Sequence, residues 1–363
     1  MDAFQALRDA GIPHYLTYIS ALDRYFRTGF SPNVYIYTPA SLVDLAKVLP
    51  ELRYPHLDRW DIAVDEKDRT IYIRCGDDAA PTGSASFTAF NLYYDPVTDT
   101  FYDPTDSYSD LRQPAAQATR RASPLRTLIE GAVLLARYPF HEVHMHLSEP
   151  PTREELLPEE QRMILTDILT GSSPWEGLHF LLEEGFIDAY WPDLSSMDSV
   201  DHTKDHHPEG NVWTHSLETL KYRKTRDLTL TLGLLFHDVG KPMAIPTRDR
   251  VFDKHANIGA DIARSFLRRL EFDSAIVEDV GWLVWNHMFP GALHRLPVNR
   301  TESLMASELF PLLLELYRCD LSSSYRGPEG YYRACKIYRS FLKHRANPFR
   351  ANDGKKLVKL YVE

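Results

Sequence analysis

Six histidine and aspartate side chains in the second half of the chain have the types and spacing that a metal centre requires. They are His215, His237, Asp238, His255, His287 and Asp320. Imidazole and carboxylate ligands suit borderline divalent ions such as Mn, Fe, Co, Ni and Zn, and six ligands exceed what one tetrahedral structural zinc uses. An ion with an open coordination position lowers the pKa of bound water and supplies hydroxide at neutral pH. The set therefore predicts a metal centre suited to hydrolysis.

Helices are expected to position these ligands. An apolar run over 228–236 leads into the adjacent pair His237-Asp238 and is followed by Gly240 and Pro242, as in a buried helix that ends in Gly and Pro. Polar side chains are costly to bury unless they are hydrogen-bonded or bound to a metal. The pair is therefore predicted to lie rigidly in a core.

The four other residues continue apolar stripes at helical spacing, so they are expected to point inward. The stripes are Val212, Thr219 and Tyr222 with His215; Gly259, Ile262, Phe266 and Leu270 with His255; Ile276, Val280, Leu283 and Val284 with His287; and Leu309, Leu313 and Leu316 with Asp320. Five helices that each present one or two ligands inward can form a metal centre in a helical domain.

Several alternatives remain open at this stage. A single core-facing histidine is more often hydrogen-bonded to the backbone than bound to a metal, so the prediction depends on the joint occurrence of the six. Lys241, one turn after the pair, either contacts a phosphate or interacts with the helix C-terminus. His206 and His207 either line the substrate mouth or are ordinary loop residues. His144 and His146 have no convincing partner nearby and are not counted as ligands.

The bulk composition is that of a soluble globular protein, with 363 residues, 44% hydrophobic and 25% charged. A formal net charge of −10 argues against general, non-specific binding of nucleic acid. The three cysteines form no CxxC pattern and fit a reducing cytoplasm, and no apolar run approaches the length of a membrane span. The N-terminus lacks the features of a signal peptide. These features predict a cytoplasmic protein without a membrane partner.

Helices and strands are mixed in the first third of the chain. Short helices are predicted over 3–12 and 40–49, and strands over 33–37, 60–64, 70–74, 86–94 and 98–102. From about Pro124 onward the pattern is helical, without a convincing strand. The predicted fold class is α+β, with a small α/β head over 1–115, a helical connector over 116–200, a helical metal-binding domain over 201–345 and a tail over 346–363.

The order His, His-Asp, Asp resembles that of the HD superfamily of metal-dependent phosphohydrolases, and the extra pair His255 and His287 is similar to the pattern of its binuclear members. The longer segments 207–215, 234–242 and 285–288 resemble the C-terminal HD domain of bacterial CCA-adding tRNA nucleotidyltransferases and poly(A) polymerases. The resemblance implies hydrolysis of 2′,3′-cyclic phosphates, 2′-nucleotides and simple phosphoesters. It also implies one ion on His215, His237, Asp238 and Asp320, and a second on His255, His287 and a bridging Asp238.

The head resembles the nucleotidyltransferase domain of the same family except at its catalytic positions. The family's Asp-x-Asp pair falls on Asn33-Val34-Tyr35, and its paired glycines fall on Tyr18 and Ile19. Nucleotidyl transfer needs two carboxylates that hold Mg²⁺ against the triphosphate, and glycines let the backbone approach the phosphates. We therefore expect a degenerate nucleotidyltransferase-like head that keeps the fold and has lost the activity.

The leading hypothesis is a metal-dependent phosphohydrolase, a phosphatase or phosphodiesterase, that acts on nucleotides or RNA ends with Asp238 and Lys241 as catalytic residues. It would use one or two divalent ions, drawn from Mn, Fe, Co, Ni or Mg. The resemblance also implies tRNA as a partner. The alternative is a non-catalytic tRNA-binding, RNA-binding or regulatory protein with a structural metal, and a residual nucleotidyltransferase is the third hypothesis. The many tyrosines of the head favour plain sheet packing over an RNA-stacking platform.

Overall fold

A computed structural model describes residues 2–29, 31–49, 51–83, 85–119, 123–145, 154–201, 210–245, 252–324 and 326–344, with the backbone alone at 298–300 and 344. The chain divides into two compact units, Met1–Glu184 and Gly185–Glu363. The first unit combines a sheet with helices and the second is helical, which confirms the predicted α+β class. The predicted boundaries at 115 and 200 lie inside these units, so the division into four parts stays a prediction. Across the described ranges, no helix is long and apolar enough to cross a membrane.

The first unit is built on a mixed sheet of seven strands with the order β3-β4-β5-β2-β1-β6-β7. Its strands are β1 (Tyr15–Leu16), β2 (Asn33–Thr38), β3 (Leu52–Arg53), β4 (Ile62–Glu66), β5 (Arg69–Cys75), β6 (Tyr93–Asp95) and β7 (Thr100–Tyr102). Strands β2 and β5 are parallel and the other neighbours antiparallel. A separate parallel pair joins β8 (Ala115–Gln117) to β9 (Glu142–His144).

Helices accompany the sheet in the first unit. They are α1 (Ala3–Asp9), α2 (Tyr18–Phe26), α3 (Leu42–Val48), α4 (Ser107–Asp110), α5 (Pro124–Arg137), α6 (Pro158–Leu169) and α7 (Pro174–Glu183). Alternation along β2 separates two faces, because successive side chains of a strand point to opposite sides. Ile36 joins a core with Leu7 of α1 and Leu45 of α3. Tyr35, on the other face, stacks on Tyr72 of β5 with ring centroids 5.6 Å apart.

The sequence pattern located most elements of the sheet but not the short ones. The helices α1 and α3 and the strands β2, β4 and β5 confirm the predictions. The strand expected over 86–94 is wrong for most of its length, because Thr88–Asn91 forms a 3-10 helix in which the Phe90 N–H bonds to the Phe87 carbonyl. The expectation of no strand after Pro124 is also wrong, since β9 pairs with β8. Three residues are too few to show a periodic signal.

The second unit contains ten α-helices in its described residues. They are α8 (Phe186–Tyr190), α9 (Pro192–Ser195), α10 (Val212–Lys221), α11 (Leu228–Phe236), α12 (His255–Arg269), α13 (Ser274–Asn286), α14 (Phe289–Ala292), α15 (Val298–Met305), α16 (Phe310–Ser322) and α17 (Glu329–His344). Helix α11 packs against α10, α13 and α16, and its residues from Leu230 to Phe236 are buried. At Gly233 a Cβ atom would lie 3.1 Å from Leu283 and 3.2 Å from Leu316, so the absent side chain allows close packing. The predicted buried helix is confirmed.

Candidate metal centre

The C-terminus of α11 forms the middle of the candidate site. His237 caps the helix and Asp238 follows it, and the chain turns at once because the Lys241 N–H bonds to the Asp238 carbonyl. A Cβ atom on Gly240 would lie 2.1 Å from the carbonyl oxygen of His255 and 2.5 Å from the amide nitrogen of Gly259. Glycine at this position therefore allows the start of α12, with His255, to reach the site.

Asp238 faces four imidazoles, two at each of its carboxylate oxygens. Its Oδ2 lies 3.3 Å from Nε2 of His237 and 3.7 Å from Nε2 of His215. Its Oδ1 lies 3.6 Å from Nε2 of His255 and 3.8 Å from Nε2 of His287. Asp320, from α16, places Oδ1 3.2 Å from Nε2 of His215. The structure thus brings together all six residues that the sequence pattern singled out.

Hydrogen bonds to the opposite ring nitrogen determine which form each imidazole takes. The Nδ1 atoms of His237, His255 and His287 lie 2.7, 2.8 and 2.7 Å from the carbonyl oxygens of the residues three positions earlier. A carbonyl only accepts, so each Nδ1 carries the proton and donates it. In a neutral ring Nε2 is then an unprotonated lone pair. Nδ1 of His215 has a weaker partner, the Ser323 hydroxyl at 3.4 Å.

Two lone pairs therefore face each other between His255 and His287, whereas His237 turns its lone pair toward His215. Nε2 of His237 lies 3.3 Å from Nε2 of His215, and Nε2 of His255 lies 3.1 Å from Nε2 of His287. Two acceptors at such a separation repel unless a cation lies between or beside them. The ligand atoms of His215, His237 and Asp238 are within 4.8 Å of one another, as are those of Asp238, His255 and His287. The donor set fits one or two divalent ions.

The protonation states favour ligand forms at neutral pH. Burial raises the pKa of Asp238, but Lys241 and the neighbouring histidines outweigh it, so the pKa lies well below its ordinary value. Burial lowers the pKa of His287 to about 3 and also lowers that of His255. For Asp320, the hydrogen bond and charge of His215 outweigh burial and lower the pKa. The carboxylates are therefore charged and these two imidazoles neutral, which is the state that binds metals.

Lys241 supplies a positive charge at this centre. Its Nζ lies 2.5 Å from Oδ2 of Asp238 and 5.3 Å from the ring centroid of Phe252. Both roles left open by the sequence, a phosphate contact and an interaction with the helix C-terminus, stay predictions. Ser323 and Phe252 were not predicted, and their only sequence signal is a position three residues from a site residue. Tyr222, predicted to lie on the inner face with His215, is 39% exposed because α10 ends before it.

In the described part of the head, no comparable cluster is found. Asn33 and Tyr35, at the expected places of the two aspartates, both bond to Asp167 of α6: Asn33 Nδ2 to Oδ1 at 2.9 Å and the Tyr35 hydroxyl to Oδ2 at 2.6 Å. The Ser31 hydroxyl also donates to Oδ1, at 3.0 Å. The two groups of His, Cys, Asp and Glu that could hold an ion within the described part of the chain both lie in the second unit. Internal hydrogen bonds thus engage both residues at the places where the resemblance led us to expect aspartates.

Among the described residues, no histidine outside the centre belongs to either ligand group. His144 is exposed and contacts Glu142 and Gln117, and it belongs to neither ligand group. His146, His206 and His207 lie outside the described residues. The assignment of individual residues as metal ligands stays a prediction, because it rests on geometry alone.

Comparison with known proteins identifies the relatives of this chain. Residues 212–315 match the family described as HD domain. A CC-adding tRNA nucleotidyltransferase of Thermus thermophilus is 31% identical over 187 residues, which cover 48% of this chain and 40% of the relative. A multifunctional CCA protein of Halorhodospira halophila is 29% identical over 161 residues, 43% of this chain and 39% of the relative. The matched segments thus span about two fifths of each curated relative.

A solved structure shows a similar fold. The crystal structure of the Bacillus stearothermophilus CCA-adding enzyme in complex with CTP has a TM-score of 0.50 and 16% identity, over 94% of this chain and 80% of that one. At this identity the likeness concerns the fold alone. Residues 212–315 therefore match an HD domain, and part of the chain is similar to a CC-adding tRNA nucleotidyltransferase, in agreement with the resemblance of its motifs.

Proposed function

From this relationship, we propose that the protein is a metal-dependent phosphohydrolase that acts on a nucleotide or an RNA end, and that its head no longer transfers nucleotides. The observation that carries the proposal is the convergence of four Nε2 atoms on the two oxygens of Asp238, together with the backbone bonds that keep three of the rings in the ligand form. A packed core would not require acceptors to face each other.

The two oxygens of Asp238 suggest how the ligands would be shared. His215, His237 and Asp320 would hold one ion with Oδ2, and His255 and His287 a second ion with Oδ1, so that Asp238 bridges the two. A bound divalent ion supplies positive charge that polarises a phosphate and lowers the pKa of water. Lys241 would leave Asp238 for a phosphate oxygen, where its ammonium offers a charge-assisted hydrogen bond as negative charge develops. Low pKa values keep Asp238 and Asp320 charged throughout.

The arrangement of the head supports the loss of nucleotidyl transfer. Neither Asn33 nor Tyr35 supplies a negative charge for Mg²⁺, and their polar atoms are held by Asp167. Tyr18, at a position of the glycine pair, is buried, with its ring centroid 5.1 Å from that of Tyr35. The side chains that replace the catalytic groups are therefore part of a packed interior.

Metal analysis and a phosphoesterase panel test the proposal together. Wild type and the Asp238→Ala variant would be assayed on 2′,3′-cyclic AMP, 2′-AMP, 3′-AMP and an aryl phosphate with Mn, Ni, Co or Mg. His179→Ala, which removes an exposed histidine of α7, is the matched control. We expect bound metal and turnover in wild type and in the control, and a loss of turnover in Asp238→Ala.

Two other results would contradict the proposal. Bound metal without turnover on any ester would favour the alternative, an RNA-binding protein with a structural metal, which similarity to a tRNA nucleotidyltransferase also allows. The absence of bound metal would mean that the six residues only pack a core. Incorporation of CTP or ATP into tRNA 3′ ends would refute the account of the head and leave the hydrolase proposal intact.

A further inference from the structure

We propose that Phe252 is the platform on which the base of a nucleotide stacks, so that the HD site selects phosphoesters that carry a nucleobase. This inference rests on the proposed phosphohydrolase function and adds a residue that determines specificity. It concerns the side chain next to the metal centre, and nothing in the ligand set itself requires an aromatic ring there.

Two contacts hold Phe252 against the site. Its carbonyl oxygen lies 2.8 Å from Nδ1 of His255, so the backbone at this position is part of the ligand support. Its half-buried ring lies with the centroid 5.3 Å from Nζ of Lys241, and that Nζ is 2.5 Å from Oδ2 of Asp238. The ring centroid therefore lies at most 7.8 Å (5.3 plus 2.5) from Oδ2 of Asp238, a distance that a small molecule can span.

Lys241 connects the ring to the expected position of the phosphate. An ammonium over an aromatic face is an attractive pair, and the same ammonium is the group proposed to contact a phosphate oxygen. A phosphate at Lys241 would place the attached sugar and base beside Phe252. Base stacking on an aromatic side chain contributes about 1–3 kcal/mol, which corresponds to about fivefold to 150-fold in affinity.

Exposed apolar side chains border the same centre in sequence. Met243, Ile245 and Met288 are 62%, 77% and 54% exposed, and each lies within four residues of Lys241 or His287. A nucleobase could offer such side chains an apolar face, whereas a simple phosphate ester of a small alcohol could not.

The test compares two cyclic phosphates, of which one lacks a base. Wild type, Phe252→Leu, Phe252→Tyr and the control Tyr332→Leu, which removes an exposed ring of α17, would be assayed on 2′,3′-cyclic AMP and on glycerol 1,2-cyclic phosphate. We expect Phe252→Leu to raise KM for 2′,3′-cyclic AMP about tenfold and to leave KM for glycerol 1,2-cyclic phosphate unchanged. Phe252→Tyr and Tyr332→Leu should behave as wild type. Adenosine binding, measured by saturation-transfer NMR, should weaken in Phe252→Leu alone.

The possible failures can be told apart. Equal losses on both esters would show that Phe252 acts by supporting His255, and would overturn the platform. Unchanged KM and unchanged adenosine binding in Phe252→Leu would overturn it as well, while turnover of wild type preserves the hydrolase proposal. If wild type turns over neither these two esters nor any other ester of the panel, the hydrolase proposal fails, and adenosine binding by wild type and Phe252→Leu decides the platform by itself.

Discussion

The pH dependence of stability in the first unit should report the state of Asp167. Burial raises the pKa of this carboxyl to about 6 from 3.8, and the charge of Arg137 and the hydrogen bonds from Tyr35, Asn33 and Ser31 reduce that increase only in part. The folded state therefore binds a proton more tightly than the unfolded state. Stability from this group is fully present below pH 3.8 and is lost as the pH rises through about 6.

The expected magnitude follows from the size of the shift. A shift of about two pKa units, at 1.36 kcal/mol per unit, makes the ionised form cost about 3 kcal/mol relative to the protonated form. The variant Asp167→Asn has nearly the same shape and does not titrate. We expect the difference in unfolding free energy, wild type minus variant, to fall by about 2.4 kcal/mol between pH 4 and pH 7, because the carboxyl of the unfolded state is already more than half ionised at pH 4.

Deuterium labelling in increasing urea, read by mass spectrometry on the peptide that carries β2, measures the stability of this unit. Subtracting the unfolding free energy of Asp167→Asn from that of wild type removes the contributions of the other titrating groups. Asp68→Asn, at an exposed carboxyl between β4 and β5, serves as a control that should show no such trend. A difference between wild type and Asp167→Asn that is flat from pH 4 to 7, or that grows in favour of wild type, would refute the reasoning.

Three further predictions concern the metal centre. Ser323→Ala should lower metal affinity about tenfold, because Nδ1 of His215 loses the hydroxyl 3.4 Å away that orients the ring, and calorimetric titration with Co would measure this; unchanged affinity would contradict it. Gly240→Ala should destabilise the second unit by about 1–3 kcal/mol and displace His255, since its Cβ meets backbone; thermal unfolding and a fall in bound metal would show both, and a normal metal content would argue against it. Adding metal at 100 times its Kd to the metal-free protein should raise the free energy of unfolding of the second unit by about 2.7 kcal/mol and its Tm by about 5–10 °C. An unchanged Tm would mean that the folded state does not bind the metal.

The centre could be predicted from the sequence because each ligand continues an apolar stripe. Helical periodicity over 228–236 places His237 and Asp238 at a buried helix end, and the stripes before His287 and Asp320 do the same for their helices. When several packed helices each point a ligand side chain toward the same core, those side chains are expected to lie close together. The distances between the ligand atoms, and the placing of two imidazoles near each carboxylate oxygen of Asp238, depend on helix packing, which the sequence pattern does not specify.

The interior of the head could not be predicted in the same way. The sequence at Asn33 and Tyr35 indicates that the expected aspartates are absent. Nothing in the sequence around Asp167 indicates that its carboxylate accepts hydrogen bonds from both residues. These contacts join positions more than 130 residues apart and arise only when α6 packs on β2. Local signals carry no information on such a pair. The short strands β8 and β9 were missed for a related reason, because their pairing is decided by tertiary contacts.

The bonds from Nδ1 to backbone have a consequence for variation in chain length. In His237, His255 and His287 the accepting carbonyl belongs to the residue three positions earlier, so the orientation of each ring depends on local chain register. One residue inserted into α11 or α13 near its end would rotate the following side chain by about 100° around the helix axis. That single insertion would remove the ring from both its carbonyl and Asp238. Among descendants of this sequence, substitutions near these helix ends should therefore be far commoner than insertions or deletions.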